Sequence, residues 1–312
     1  MSAPELSRRH FLTASALAAG IGALPFHRAL ALEASQPSRA ARSTALQRAA
    51  HQLLEVPRVF DDPVALRIFG AQGVAWLGRN LDLYRTEGAR AMRAFLVMRS
   101  RYAEDQLAHA VARGVTQYVV LGAGLDTFAY RNPHRHLRVF EVDHPSTQTW
   151  KRSRLKEQAI EVPRSLTFAP VDFESQTLAD GLNTAGFRAD LPAFFSWLGV
   201  VIYLSKPAVA GTLQYIAARP AGSQVVFDFA PPPSSMSERE RVSHEGSAAR
   251  AANAGEPWIN YYSPGLLVDE LRTTGFGSAH YVGSGELNAR YFGNRSDGFR
   301  LYGSGRMMAA SV

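Results

Sequence analysis

The chain has 312 residues, enough for one large α/β domain, and its 46% apolar share fits a globular protein. It has no cysteine, which excludes disulfides, thiolate metal sites and cysteine nucleophiles. The net charge of +7 is modest and the arginines are spread along the chain, not gathered in one block, so no nucleic-acid partner is expected.

Residues 1–32 read as an export signal. Ser7-Arg8-Arg9-His10-Phe11-Leu12 precedes a small-residue apolar stretch from Thr13 to Phe26, and Ala29-Leu30-Ala31 offers an A-x-A cleavage site. This is the pattern of a twin-arginine signal, which implies a periplasmic or secreted protein. An ordinary extension on a cytoplasmic protein is the alternative. The apolar stretch is too short to span a bilayer, and no transmembrane span is expected elsewhere.

Residues 33–116 are expected to form an N-terminal helical cap. After a polar segment from Glu33 to Arg42, Leu46, Ala49, Ala50 and Leu53 recur at helical spacing across Ser43 to Leu54, and Pro57 ends the run. Asp61-Asp62-Pro63 opens a second helix, with aspartate as the cap and proline in the first turn. A long helix follows from Ala89 to Ala112, with Phe95, Met98, Tyr102 and Leu107 on its apolar side, and Gly114 stops it.

From residue 117 to the end the pattern alternates strand with helix. Strands are expected at Tyr118–Leu121, Arg138–Val142, Leu166–Val171, Ala193–Leu198, Gln224–Phe229, Gly277–Val282 and Phe299–Tyr302. Helices fall between them, as at Pro145–Glu157 and Lys206–Ala218. This predicts an α/β fold: a mostly parallel seven-stranded sheet with helices on both faces. The segment 231–256 is rich in proline, serine, alanine and charge, and reads as a mobile loop or short helix placed as a lid.

Within this core, YVVLGAGLDTFAYR (118–131) runs from a strand into a glycine turn at Gly122, Ala123 and Gly124, and VFEVD (139–143) ends a second strand on acids. Glycines let a backbone approach a ligand, and an acid at that strand end can accept hydrogen bonds from two ribose hydroxyls. Asp143 is the acid expected to do so, with an exposed strand-end carboxylate as the plain alternative. Glu141 shares its face and could pair with an arginine of the helical half. A dinucleotide fingerprint would place a third glycine at 127, where the chain has Thr127. The helix would start at Leu125, and Asp126 in its first turn would repel a pyrophosphate. An adenosine ligand without phosphates, such as S-adenosylmethionine, suits this turn better than NAD.

LGAGLDTFAYR followed by VFEVDHPSTQTWKRSRL resembles the S-adenosylmethionine-dependent methyltransferases related to leucine carboxyl methyltransferase, in their bacterial branch. The likeness runs from about Ser43 to the C-terminus and includes STALQRAA, FDDPVALRIFG, MRSRYAEDQL, FFSWLGVVIYLS, LNARYF and DGFRLY in order. It implies a Rossmann-like class I methyltransferase core. It also implies cofactor contacts from Arg99, Gly122, Ala123, Gly124, Asp143, Asp172 and Phe173. Asp172 would bind the adenine amino group, with a helix cap as the other reading, and Phe173 would line the adenine pocket. Arg99, preferred over Arg101, would grip the methionine carboxylate, and Arg48 resembles a basic residue at the same end. Leu198 stands where the family commonly has an acid, so a backbone carbonyl or Ser196 would have to make that contact.

No catalytic residue is singled out, and the nine histidines show no metal spacing. With no base evident near the turn, the reading leans to O-methylation of a carboxylate or acidic hydroxyl, on a small molecule or a protein carboxylate. Trp258, Tyr261 and Tyr262 could shape the acceptor pocket, though ordinary packing explains them as well. A cofactor-binding protein without catalysis is the main alternative, and a nicotinamide-dependent oxidoreductase a lesser one.

Overall fold

The structure is a computed structural model that describes residues 39–172, 176–253 and 255–312. The signal-like segment and Phe173 lie outside the described residues. Five helices come first: α1 (Arg39–Leu54), α2 (Val64–Arg67), α3 (Gly70–Arg79), α4 (Leu81–Arg85) and the long α5 (Glu87–Ala112). Strands and helices then alternate as β1 (Gln117–Leu121), β2 (Arg138–Asp143), α6 (Pro145–Glu157), β3 (Leu166–Pro170), α7 (Leu178–Thr184) and β4 (Phe194–Trp197). The chain closes with α8 (Lys206–Ala217), β5 (Gln224–Phe229), α9 (Glu238–Asn253), α10 (Pro264–Thr274), β6 (Ser278–Val282), α11 (Ser284–Phe292) and β7 (Arg306–Ser311).

The strands form one seven-stranded sheet in the order β3-β2-β1-β4-β5-β7-β6. β1 to β5 are parallel, and β7 runs antiparallel between β5 and β6. The chain winds outward from β1 to β3, then returns to β4 on the other side of β1. That reversal opens a crevice beyond the carboxyl ends of β1 and β4, where sheets of this kind bind ligands.

Side-chain alternation covers both faces of the sheet. Tyr118, Val120, Phe194 and Val226 pack with Ala94, Met98, Tyr102 and Leu107 of α5. Val119, Leu121, Phe195 and Phe227 pack on the opposite face with Val209 and Leu213 of α8 and Leu267 and Leu271 of α10. The long helix therefore shares one core with the sheet. All five residues of β1 are buried, as a central parallel strand requires.

Four sequence expectations change. Phe299–Tyr302 is not a strand: the Asn288 side chain pairs with both backbone groups of Leu301, at 2.8 and 3.1 Å, in place of a neighbouring strand. The seventh strand is Arg306–Ser311, whose Met and Ala residues give a weak strand signal. No helix starts at Leu125, and only a 3₁₀ turn forms at Phe128–Tyr130. The Asp126 carboxylate accepts from the Phe128 amide at 2.8 Å and Thr127 turns away to donate to Asp62 at 2.7 Å. Such local side-chain bonds compete with a helix. Finally, 231–256 carries a helix of 16 residues, α9, not a short one.

Candidate active site

Gly122 and Gly124 both have positive φ, +64° and +46°, and form the floor of a cavity at the reversal point. A side chain at Gly122 would meet Val200 at 2.4 Å and one at Gly124 would press on Ala41 at 3.2 Å. Glycine is required here by backbone conformation and by close approach together. The turn is held from behind by a polar knot on Asp62. Its carboxylate takes the Thr127 hydroxyl, caps α2 through the Ala65 amide at 3.1 Å and faces Arg48 and Arg131 at 3.6 and 3.5 Å. The expected cap role of Asp62 is thus present, together with a second role that ties the helical half to the glycine turn.

Asp143 ends β2 beside this turn. Its carboxylate accepts from the Gly124 amide at 2.5 Å and from the His144 amide at 2.7 Å. Burial pushes its pKa up, against the pull of those two amides. Glu141 points into the protein, where it pairs with Lys151 of α6 at 2.7 Å, not with an arginine of the helical half. Burial raises its pKa to about 7.

Arg99 faces the cavity from α5 and pairs with Asp228 at 3.0 Å. Asp228 also accepts from the Gly199 amide at 2.6 Å, and the guanidinium lies so close to Gly199 that a Cβ there would fall 2.7 Å from it. Arg101 turns outward to Asp105. Arg48 is buried in the cavity wall and donates to the Leu125 carbonyl.

The structure therefore gathers Arg99, Gly122, Ala123, Gly124 and Asp143 on one wall. Asp172 follows β3, its backbone bonded to Gln176, and is not among the described residues lining this cavity. Leu198 and Ser196 both line it, but the Ser196 hydroxyl is bonded to Tyr118 at 2.8 Å. Asp228 went unnoticed in the sequence. Its signal was the strand-end acid in VVFDFA, one strand over from the place where an acid was expected.

The cavity measures about 940 Å³, at the upper end for small-molecule sites. Its far side is α9 and the segment after it. The Ala40 amide donates to the Glu256 carboxylate at 2.9 Å, and the Ile259 and Asn260 amides donate to the Ile202 carbonyl. His244 of α9 lines this side, buried, within 5.0 Å of the Trp258 ring. Trp258 reaches the cavity, whereas Tyr262 turns into the core and Tyr261 stands behind His244. An imidazole thus lines the cavity that the sequence did not single out, because its neighbours come from residues 258–261 and 304. Among the described residues no cluster could hold a metal ion, and no helix is long and apolar enough to cross a membrane.

The leucine carboxyl methyltransferase family model matches residues 41–217. A Bacillus subtilis protein provisionally named an S-adenosyl-L-methionine-dependent methyltransferase is 29% identical over 284 residues, covering 83% of this chain and 92% of that one. A Streptomyces coelicolor protein provisionally given the same activity is 33% identical over 209 residues, covering 65% and 70%. Among solved structures, a provisionally named methyltransferase from Thermobifida fusca superposes with a TM-score of 0.53 at 16% identity, covering 89% and 95%. A DUF574 family protein from Streptomyces avermitilis gives 0.52 at 14%, covering 88% and 97%. These two share the fold.

Proposed function

The chain belongs to the leucine carboxyl methyltransferase family, whose members use S-adenosylmethionine, and we propose that it transfers that methyl group to the oxygen of a carboxylate or acidic hydroxyl. The observation that carries the reading is the joining of the glycine turn to Asp143 in the wall of one large cavity.

The residues present fit the cofactor. Gly122 and Gly124 clear the space a Cβ would fill, so an adenosine can lie against the backbone. Asp143 offers carboxylate lone pairs to ribose hydroxyls, and its bonds to two amides hold it in place. Arg99 and Asp228 form a pair whose charges complement a zwitterionic amino-acid tail: the guanidinium takes the carboxylate and Asp228 the ammonium. Asp126 lines the cavity beside the turn, and its negative charge disfavours a pyrophosphate there even without a helix, which counts against NAD. Leu198 in place of an acid is offset by Asp228 on the next strand, which weakens the case for a binding protein without catalysis.

When bound, S-adenosylmethionine supplies an activated methyl group for in-line displacement. The protein's share is position and dryness: β1, β2 and β4 fix the cofactor side, and α9 with residues 256–258 covers the acceptor side from water. A carboxylate acceptor is already ionised at pH 7 and needs no base. A hydroxyl needs one.

Calorimetric titration of the full chain with S-adenosylhomocysteine, and separately with NAD, tests the reading. Micromolar binding of the first alone is expected. Binding of NAD, or of neither, refutes it.

A further inference from the structure

His244 sits in a hydrogen-bonded chain that assigns its tautomer. The Tyr261 hydroxyl donates to the Trp258 carbonyl at 3.5 Å, which leaves its oxygen to accept from His244 Nε2–H at 3.4 Å. Nδ1 is then the bare nitrogen, and it accepts from the Ser304 hydroxyl at 3.1 Å. Ser304, like His244, lines the cavity. Base, relay and orienting group are thus in series, the geometry that activates a hydroxyl. Burial holds the imidazole below its ordinary pKa, so it is neutral and able to accept a proton near pH 7.

The surroundings choose the acceptor. Trp258 Nε1–H is buried near the Tyr203 hydroxyl and makes no hydrogen bond of sound geometry among the described residues, so the indole shapes this wall without offering a donor to the cavity. Of the neighbouring cations, Arg99 is paired with Asp228 and Arg306 with Glu240, while Arg250 of α9, also in the lining, donates to the Ser247 hydroxyl. An uncharged hydroxyl arriving beside Ser304 would find there the base it needs, a base for which an ionised carboxylate has no use.

We propose that His244, acting through Ser304, is the catalytic base of methyl transfer, and that the acceptor is an uncharged hydroxyl of the phenol type, not a carboxylate. The inference rests on the methyl-transfer reading above and selects one of its two acceptor classes. In the step, the acceptor oxygen forms a bond to the methyl carbon as the carbon–sulfur bond breaks, and the bonding pair stays on sulfur as a thioether. The acceptor proton passes to Ser304 Oγ as the serine proton passes to His244 Nδ1. The imidazolium returns its proton to water when product leaves. A phenol, with a pKa near ~10, is within reach of an imidazole, and an alkanol is not.

The groups facing this imidazole are Tyr261, Ser304 and Trp258, with Glu245 beside it and the Glu240–Arg306 pair one helical turn away. The test compares the full-length wild type with His244→Gln and Ser304→Ala. The rate of methyl transfer to 4-methylphenol is measured against pH in each protein, with binding of S-adenosylhomocysteine measured separately. The wild-type rate is expected to fall as pH drops through the imidazole's titration, and that limb should be lost in His244→Gln. Transfer to 4-methylphenol should fall about 100-fold or more in His244→Gln. Binding of S-adenosylhomocysteine should match wild type in at least one variant, which shows that its fold is intact. An undiminished rate with 4-methylphenol in His244→Gln, or efficient transfer to benzoate that His244→Gln leaves unchanged, overturns the proposal while the cofactor reading stands. Failure of the wild type to bind S-adenosylhomocysteine overturns both.

Discussion

Asp143 illustrates how one side chain serves structure and ligand together. Two backbone amides already hold its carboxylate, one of them from the glycine turn. Removing the whole side chain would therefore loosen Gly124 as well as any contact to a ribose. Asp143→Asn is the cleaner variant, since it keeps the shape and one acceptor oxygen but loses the charge. It is expected to weaken S-adenosylhomocysteine binding about 10- to 100-fold by calorimetry, with a fall of a few degrees in melting temperature because one of the two amides loses its acceptor. Unchanged affinity would place the ribose elsewhere.

At the scale of elements, α9 decides whether the cavity is closed. Its sequence is polar, with only His244 buried, so it has little apolar area to hold it down. Three contacts fasten it around the start of β7: His244 to Ser304, Glu240 to Arg306 at 2.5 Å, and the Arg239 guanidinium 4.4 Å over the Tyr302 ring. Arg306 also donates to the carbonyls of Gly303 and Gly305, so the ion pair steadies the loop that carries Ser304. The pair is largely shielded from water and should contribute on the order of 1 kcal/mol to closure. Glu240→Gln is expected to speed tryptic cleavage within 238–253 roughly fivefold, while the melting temperature of the core holds. Equal cleavage rates would mean that the helix is fixed by its other contacts alone.

For the whole molecule, the helical half is joined to the sheet through buried polar groups as well as apolar packing. Glu55 at the end of α1 receives His51 at 2.9 Å and Arg93 of α5 at 2.6 Å. The Val59 and Phe60 amides donate to the other His51 nitrogen, at 3.1 and 3.3 Å, so the ring is held neutral. Burial, chiefly, depresses its pKa below 6.5. The unfolded chain therefore binds the proton more readily, and this stabilisation is present above 6.5 and lost as pH falls through the folded value. Glu55, held below its ordinary value by His51 and Arg93 against the effect of burial, adds a loss at still lower pH. Glu141 runs the other way: raised to about 7, its contribution is lost as pH rises. Because Glu141 opposes His51 over the same range, the test is the difference between proteins: His51→Gln should lower the melting temperature at neutral pH, and the gap to wild type should shrink as pH drops below 6.5. The same slope in both proteins would remove His51 as its cause.

The sequence by itself determined the elements that local chemistry dictates. The limits of β5 and α6 agree with expectation, because proline at the start of α6 and an apolar run in β5 are local signals. The turn at Gly122 and Gly124 was legible for the same reason, and so was the acid at Asp143, which ends a strand. Periodicity also showed that Arg99 and Arg101, two apart on a helix, cannot face the same way, though not which of them turns inward. What lay beyond reach was set by partners distant in the chain. Phe299–Tyr302 has strand composition, but Asn288 takes both backbone groups of Leu301; β7 has weak strand composition, yet the gap between β5 and β6 selects it. The missing helix after Gly124 follows from Asp62, 65 residues upstream of Thr127. The pairing of Arg99 with Asp228 spans 129 residues, and that of His244 with Ser304 spans 60. Composition and spacing report what a segment can form alone. Which charges and hydroxyls meet in the cavity is decided when the sheet reverses direction at β1 and α9 closes over it.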